Sequence, residues 1–275
     1  MKIGVFDSGL GGITVLKKLI EVYPENEYIY YADLKNMPYG LKTSEQLNEI
    51  AINVLKKLEE KNIDMYVCAC GTLSSVAMHN MTKYLDKKNK KIIGIIDPIV
   101  KNIKKYDYKN ILIIATSATV KKAILEKRIN EVCPNSNIYV KACPDFVEAI
   151  ENHSEDNELL LSLTQKYLAE YDNKVDIVVC GCTHYILYKK YINLVLKNVV
   201  LLEAGSCIAD ELKLSKTKTK TKNNVKCDDK NIDYDNNKTV VNIILSKNSE
   251  SFKINVTKIL NNDLNNCKLN ICNEN

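Results

Sequence analysis

Short apolar runs alternate with amphipathic stretches along most of the chain. Near-continuous Val, Ile and Leu runs bounded by turn residues are typical of strands that are buried on both faces. They predict strands at 2–6, 27–32, 63–69, 92–96, 111–115, 137–141, 175–180, 199–203 and 239–245. Helical spacing predicts helices at 12–22, 44–60, 73–86, 119–131 and 156–170, from 185, from 206, and at 249–260. This alternation predicts an α/β fold with mainly parallel sheets flanked by helices.

The chain also resembles itself. The segment IDMYVCAC at 63–70 matches VDIVVCGC at 175–182, and each copy follows a predicted helix. At a similar offset, KIGVFDSG at 2–9 resembles NILIIATS at 110–117, since both are buried strands that end in hydroxyl or acidic residues. These two matches predict two similar domains that face each other across a cleft.

Length and composition fit an ordinary globular protein. The chain has 275 residues, of which 45% are hydrophobic and 27% are charged, so we do not expect a disordered protein. No apolar run approaches the 18 residues that a membrane-spanning helix needs. Asp7 and the glycines of the first dozen residues interrupt any signal-peptide core, which predicts a cytoplasmic protein without a membrane partner.

The net charge of +5 comes mainly from one segment. Residues 215–230 contain six Lys and two Asp. Nucleic-acid binding favours basic residues spread over a face, so a nucleic-acid partner is not expected. We predict a low-complexity, flexible insertion at 215–238 and a disordered, Asn-rich tail at 261–275.

Chemically useful residues follow four of the predicted strands. In open α/β sheets, ligands bind beyond the carboxyl ends of the strands. The residues at these ends are Asp7-Ser8-Gly9, Cys70-Gly71-Thr72, Thr116-Ser117 and Cys182-Thr183-His184. If the two halves face each other, Cys70 and Cys182 approach the cleft from opposite sides.

Two opposed thiols suit one reaction in particular. A racemase removes a proton from one face of a carbon and delivers a proton to the other face, which needs two acid/base groups. A thiol serves in both roles because its unperturbed pKa is about 8.5. His184 could take the proton of Cys182 or stabilise its anion, and Asp7 could assist Cys70 or hold a substrate ammonium.

Other interpretations of the same residues remain open. A Cys at a strand end is often a small buried hydrophobe, and we interpret Cys68 and Cys180 in that way. The two Cys-x-Cys pairs could form a zinc site, although structural zinc sites usually show Cys-x₂-Cys, so no metal is expected. The glycines at 9, 11 and 12 could bind phosphate, but the Lys-Ser/Thr ending of a P-loop is absent.

Four motifs together resemble those of the glutamate racemases, within the aspartate/glutamate racemase superfamily. They are FDSGLGG at 6–12, ADLKNMPYG at 32–40, CACGT at 68–72 and GCTHY at 181–185. The resemblance implies a cofactor-independent isomerase that interconverts L- and D-glutamate and supplies D-glutamate for peptidoglycan synthesis. It also implies a homodimer. Within each chain, residues 1–95 and about 206–260 would form one domain, and residues 96–205 would form the other.

The resemblance also assigns roles to residues. Cys182 would act on the L-isomer and Cys70 on the D-isomer, assisted by His184 and Asp7 as further catalytic residues. The implied substrate-binding residues are Asp7, Ser8, Tyr39, Gly40, Gly71, Thr72, Thr116, Thr119, Glu151, Thr183 and His184.

The sequence departs from the family's usual motifs at several positions. The family usually has Cys-Asn-Thr-Ala where this chain has Cys70-Gly71-Thr72-Leu73, so Gly71 replaces Asn and Leu73 replaces Ala. In addition, Ile186 replaces Pro, and Asp97 replaces Glu. Gly71 cannot supply a side-chain amide to the substrate, and such a lost bond costs about 1–3 kcal/mol. An aspartate or other amino-acid racemase of the same superfamily, or a weakly active or non-catalytic descendant, therefore remains an alternative.

Overall fold

A computed structural model describes residues 1–220, 239–261 and 267–274 of the chain. These residues form two sheets in which every strand pair is parallel. The strands are β1 (Lys2–Asp7), β2 (Glu27–Ala32), β3 (Met65–Cys68), β4 (Lys91–Gly94), β5 (Asn110–Ala115), β6 (Asn137–Ala142), β7 (Ile177–Cys180), β8 (Val200–Leu202), β9 (Thr239–Leu245) and β10 (Cys267–Asn273).

Helices connect the strands and cover the sheets. They are α1 (Gly11–Val22), α2 (Ser44–Glu59), α3 (Gly71–Val76), α4 (Met78–Asp86), α5 (Ile96–Ile103), α6 (Ser117–Lys122), α7 (Ile124–Val132), α8 (Asp145–His153), α9 (Asn157–Leu168), α10 (Lys189–Val195), α11 (Ala204–Lys220) and α12 (Glu250–Asn261). Short 3₁₀ turns lie at Tyr39–Leu41, Ala169–Tyr171 and Thr183–Tyr188. The predicted α/β fold with parallel sheets and flanking helices is confirmed.

The two sheets share one strand order. The first sheet is ordered β10-β9-β2-β1-β3-β4 and the second β6-β5-β7-β8, so the last four strands of the first repeat in the second. The register repeats as well, because Phe6 pairs with Cys68 in one sheet and Ile114 with Cys180 in the other. The prediction of two similar halves is therefore confirmed. The strands of the second sheet all lie within 96–205, whereas the domain boundaries themselves stay a prediction.

Apolar packing joins the halves. One cluster of buried side chains includes strands of both sheets together with helices α1, α5 and α11. A second cluster lies on the other face of the first sheet, beneath α2, α3 and α4. Helix α11 packs against both α1 and α5. The larger core is therefore continuous between the two sheets.

Several predicted helices differ from those observed. The helix predicted at 73–86 is interrupted at Ala77, and the one predicted at 119–131 is interrupted at Ala123, which has the left-handed φ of 53°. Helices α5 and α8 were not predicted. Pro98 argues against a helix in a sequence, but it lies in the first turn of α5, where a missing N–H costs nothing.

The prediction of a disordered tail at 261–275 is wrong for 267–273. These residues form β10, which extends the first sheet by pairing with β9 in parallel. The strand forms because Cys267, Leu269 and Ile271 alternate with polar residues and pack against the core. The abundant Asn in this segment concealed that alternation. Glu274 then accepts a hydrogen bond from Tyr31 and pairs with Lys57.

The predicted insertion at 215–238 falls partly outside the described residues. Residues 215–220 continue helix α11, which contradicts the prediction of a flexible loop there. Extending an existing helix costs far less than starting one, so a polar segment can follow a packed helix. The remainder of the insertion lies outside the described residues. Within the described part of the chain, no helix is both long and apolar enough to cross a bilayer.

An aromatic cluster anchors α8 to the turn at Thr183–Tyr188. The Phe146 ring stacks on Tyr188 with centroids 4.0 Å apart and meets Tyr185 edge-on at 5.1 Å. The Tyr185 hydroxyl donates to the Cys143 carbonyl at 2.6 Å. These contacts fix the two elements that carry Glu151 and His184.

We expect Phe146→Ala to lower the free energy of unfolding by about 3–5 kcal/mol, because it removes a fully buried ring from this cluster. Urea denaturation followed by circular dichroism measures the loss. The control is Leu194→Ala, which truncates a side chain that is 60% exposed and is expected to change stability by about 0.5 kcal/mol or less. Equal effects of the two substitutions would contradict the anchoring role.

Candidate active site

A cavity of about 530 Å³ opens between the carboxyl ends of β1 and β3 in the first sheet and β5 and β7 in the second. Eleven of the thirteen predicted site residues line it. They are Asp7, Ser8, Tyr39, Gly40, Cys70, Thr72, Thr116, Glu151, Cys182, Thr183 and His184. The sequence thus brings residues from both halves to one cavity, as strands of parallel sheets end at a common edge.

The two thiols reach the cavity from opposite halves. Cys70 follows β3 and immediately precedes α3, whereas Cys182 follows β7 and immediately precedes the turn at Thr183–Tyr188. Each residue is 5% exposed. Burial, the charge of Asp7 and, more weakly, that of Cys182 raise the pKa of Cys70 well above its usual range. The charge of one thiol therefore influences the protonation of the other.

Cys182 belongs to a chain of polar contacts that crosses the cleft. Its Sγ lies 3.8 Å from His184 Nδ1, and His184 Nε2 lies 2.7 Å from Glu151 Oε1. The same Glu151 oxygen accepts a hydrogen bond from the Leu10 N–H at 2.6 Å. Burial alone would lower the pKa of His184, but its hydrogen bonds to Cys182 and Glu151 outweigh burial and raise it well above its usual value.

Cys70 has a different partner. Asp7 accepts hydrogen bonds from the Ser8 N–H at 2.7 Å and from the Thr183 hydroxyl at 3.0 Å. It also interacts with the Cys70 thiol. Burial raises the pKa of Asp7, although the charge of His184 and these hydrogen bonds act in the opposite direction. One thiol is therefore paired with an imidazole and the other with a carboxyl group.

The glycine-rich segment after β1 makes room for the opposite half. A Cβ atom on Gly9 would lie 2.0 Å from Glu151 Oε1, and one on Gly11 would lie 2.3 Å from His184 Nδ1. A side chain at position 9 would displace the Glu151 carboxylate, and one at position 11 would also meet the backbone nitrogen of His184 at 2.7 Å. These glycines therefore allow His184 and Glu151 to contact the backbone of the first half directly.

A row of hydroxyls also bridges the halves. Thr72 and Thr116 have their Oγ1 atoms 3.1 Å apart, and Thr116 Oγ1 lies 3.0 Å from Thr119 Oγ1. Thr116 additionally caps α6 by accepting from the Thr119 N–H. Thr119 does not line the cavity, so its place is behind Thr116. These hydroxyls offer hydrogen bonds without charge.

Gly71 does not line the cavity either. Leu73 is fully buried and packs in the core of the first half instead of beside the cavity. Asp97 forms an ion pair with Arg128 at 2.9 Å and also lies outside the cavity wall. None of these three residues therefore forms part of the cavity wall in this chain.

Sequence reasoning missed two buried residues that support the site. Asp33 accepts from the Tyr39 hydroxyl at 2.8 Å and from the Asn36 amide. It lies inside the quoted motif ADLKNMPYG, so its position after β2 was an available signal. Tyr30 donates its hydroxyl to the Gly9 carbonyl at 2.6 Å, and no sequence signal distinguishes it from other strand tyrosines.

The wall of the cavity contains carboxylates and hydroxyls but neither Lys nor Arg, among the residues that the structure describes. In that same part of the chain, no three His, Cys, Asp or Glu side chains cluster in a way that could hold a metal ion. The arrangement can move protons on two sides of a bound molecule, using a thiol with a basic partner and a thiol with an acidic one.

Comparisons with known proteins agree on one family. The model of the family described as Asp/Glu/Hydantoin racemase matches residues 3–212. The glutamate racemase of Clostridium botulinum is 37% identical over 215 residues, which are 77% of this chain and 82% of that protein. That of Aquifex aeolicus is 34% identical over 214 residues, 78% and 82% of the two chains. The crystal structure of glutamate racemase from Campylobacter jejuni has a TM-score of 0.79 at 31% identity, covering 95% and 98%.

The environment of His184 generates a test. Because the Glu151 carboxylate stabilises the imidazolium, we expect Glu151→Gln to move the titration midpoint of His184 to lower pH. The raised pKa stabilises the fold below about pH 6.5, the unfolded-state value, and this contribution is lost as the pH rises through the folded-state value. NMR resolves the titration, since the chain has three histidines.

Glu148→Gln is the matched control, because Glu148 lies on the same helix and lines the same cavity but has no hydrogen bond to His184. We expect it to leave the midpoint close to that of the parent protein. An unchanged midpoint in Glu151→Gln would show that the carboxylate does not hold the imidazolium.

Proposed function

The chain belongs to the Asp/Glu/hydantoin racemase family, and from this membership we propose that it interconverts L- and D-glutamate by proton transfer between Cys70 and Cys182. One observation carries the proposal: two thiols from opposite halves face one cavity, and each has its own acid/base partner. The reaction needs no pyridoxal phosphate, since the acid/base groups are all side chains of this chain.

The environment of each thiol suggests its resting state. His184, with its raised pKa, is suited to hold the proton of Cys182 and leave a thiolate beside an imidazolium. Cys70 has a raised pKa and stays a thiol. The L-isomer would then lose its α-hydrogen to the Cys182 thiolate, and the resulting carbanion would take the proton of the Cys70 thiol on its opposite face.

The reverse direction uses the same groups in exchanged roles. Cys70 must first lose its proton, and Asp7 is a suitable acceptor because burial raises its pKa. The Cys70 thiolate would remove the α-hydrogen of the D-isomer, and Cys182 would deliver a proton to the other face. Each turnover moves the thiol proton from one sulfur to the other, and exchange with solvent restores the starting state.

Neutral donors are proposed to bind the two substrate carboxylates. Ser8, Thr72, Thr116 and Thr183 present hydroxyls at the cavity, and hydroxyls and backbone N–H groups are sufficient donors for a carboxylate. The Asp7 carboxyl group could receive the substrate ammonium. Tyr39 and Gly40 would close one side, with Tyr39 held by Asp33.

The biological setting follows from this activity. We propose that the D-glutamate supplies peptidoglycan synthesis, as the family resemblance implies. Catalytic thiols must stay reduced, which favours the cytoplasm, and the nine described free cysteines agree with that setting. A homodimer in solution is also proposed on the resemblance.

We expect the purified protein to racemise glutamate and to exchange its α-hydrogen in deuterated buffer without added pyridoxal phosphate. Proton NMR measures the exchange, and chiral chromatography measures the inversion. Aspartate and a neutral analogue are assayed in parallel. Faster turnover of aspartate would make this chain an aspartate racemase, and no exchange with any of them would reject racemase activity.

We expect Cys70→Ser and Cys182→Ser each to lower racemisation by more than about a hundredfold, since a hydroxyl is a far weaker acid than a thiol. Elimination of chloride from the two enantiomers of a β-chloro substrate analogue separates the roles. Each variant is expected to keep elimination from one enantiomer and to lose it from the other.

Cys180→Ala is the control, because Cys180 is a buried cysteine two residues before Cys182 that does not line the cavity. Its turnover is expected to match that of the parent protein. Equal loss with both enantiomers in each Ser variant would indicate that the thiols have structural roles.

A further inference from the structure

Two glycine backbones meet where the two thiol-bearing loops approach each other. Gly71 directly follows Cys70, and Gly181 directly precedes Cys182. A Cβ atom on Gly71 would lie 2.0 Å from the carbonyl oxygen of Gly181. The Gly71 hydrogen that takes the place of a Cβ therefore points at that oxygen.

We propose that Gly71 is a positioning residue whose missing side chain sets the separation of the Cys70 and Cys182 sulfur atoms. This inference rests on the proposed two-thiol reaction. Because each glycine is bonded to one of the cysteine residues, any group inserted between the two backbones must move the thiols apart. Gly71 does not line the cavity, so a direct contact with substrate is not its role.

Neither loop can yield easily. The Gly181 N–H donates to the Ile114 carbonyl at 2.8 Å, and a Cβ built on Gly181 would lie 3.1 Å from the side chains of Ala115 and Leu125. A displaced Gly181 would therefore push into the core of the second half.

The loop that carries Gly71 is fixed in a similar way. The Ser74 N–H donates to the Cys70 carbonyl at 2.9 Å, and the Ser74 hydroxyl accepts from the Ile95 N–H at 3.1 Å. Leu73 is fully buried in the first half. A side chain at 71 is therefore accommodated only by separating the halves at the cleft.

This arrangement reverses an expectation from the sequence. The family's usual motif has Asn at position 71, so the resemblance suggests that Gly71→Asn would restore a substrate contact and raise activity. The close contact with Gly181 predicts the opposite. Any side chain at this position increases the thiol separation, and a larger one does so at least as much as a methyl group.

The experiment compares Gly71→Ala and Gly71→Asn with the parent protein. We expect both to lower the rate of inversion at least about tenfold in each direction, because small misplacements of reacting groups have large effects on rate. Gly71→Asn is expected to be no faster than Gly71→Ala. A rate for Gly71→Asn at or above that of the parent protein would overturn the proposal.

A second readout separates positioning from loss of folded protein. In deuterated buffer, deuterium in recovered L-glutamate reports removal of the α-hydrogen and return to the same face, whereas deuterium in D-glutamate reports inversion. If the thiols are farther apart, the carbanion is reprotonated on its original face more often than on the opposite face. We therefore expect the ratio of return to inversion to rise at least about threefold. A loss of folded protein lowers both rates equally, so an unchanged ratio would overturn the proposal.

Gly4→Ala is the matched control. It adds a methyl group to another buried glycine, where the nearest atoms belong to the Ile63 side chain at 3.1 Å and to neither thiol-bearing loop. Its inversion rate is expected within about twofold of the parent protein, with the same ratio of return to inversion, because no reacting group is displaced.

If the variants do not fold, a crystal structure of the parent protein with glutamate tests the proposal through the distance between position 71 and Gly181. The proposal requires that a Cβ built on Gly71 lie within 3.0 Å of the Gly181 oxygen, and room for an ordinary contact there would overturn it. A parent protein that keeps this contact but does not invert glutamate would refute the proposed function alone.

Discussion

A single carboxylate oxygen connects the halves at the cleft. Glu151 Oε1 accepts from the Leu10 N–H of the first half and lies within hydrogen-bond distance of His184 in the second. An isolated buried carboxylate costs several kcal/mol. Glu151 and His184 both belong to the second half, so the Leu10 hydrogen bond is the one of these two contacts that is lost when the halves separate. The glycines at 9 and 11 are required because any side chain there would occupy the place of Glu151 or His184. The closed cleft and the proposed basicity at Cys182 thus depend on the same carboxylate, which contacts Leu10 for the first and His184 for the second.

The two halves share a fold but differ in the acid/base group that contacts each thiol. Their strand orders and registers correspond, and each thiol stands at the end of an equivalent strand. The partners differ, since Cys182 meets an imidazole and Cys70 meets a carboxyl group. One cross-cleft hydrogen bond joins the hydroxyls of Thr72 and Thr116, and in another the Thr183 hydroxyl donates to Asp7. A pseudo-symmetric scaffold therefore carries an asymmetric pair of acid/base groups, which suits a reaction whose two directions start from different enantiomers.

Periodicity and motifs predicted the strands, the likeness of the halves and a common place for most of the candidate residues. Strands buried on both faces are visible in a sequence because few other segments are uniformly apolar. Strand β10 was missed because its apolar positions alternate with Asn, and helix α5 because Pro98 lies in its first turn. The hydrogen bond of Tyr30 to Gly9 and the contact of Gly71 with Gly181 could not be predicted. They depend on how segments distant in sequence approach each other, and the identity of a single residue does not predict which distant segment it contacts.

The composition of the cavity wall has a consequence for how a dicarboxylic amino acid is recognised. The described wall offers hydroxyls and carboxylates, with His184 as its one basic side chain. Attraction over long distances requires a surplus of opposite charge, which this wall lacks. Capture would then depend on short-range shape and hydrogen-bond geometry, so ionic strength would have little influence on it. Abundant multivalent anions of the cell would gain no advantage from their charge as competitors.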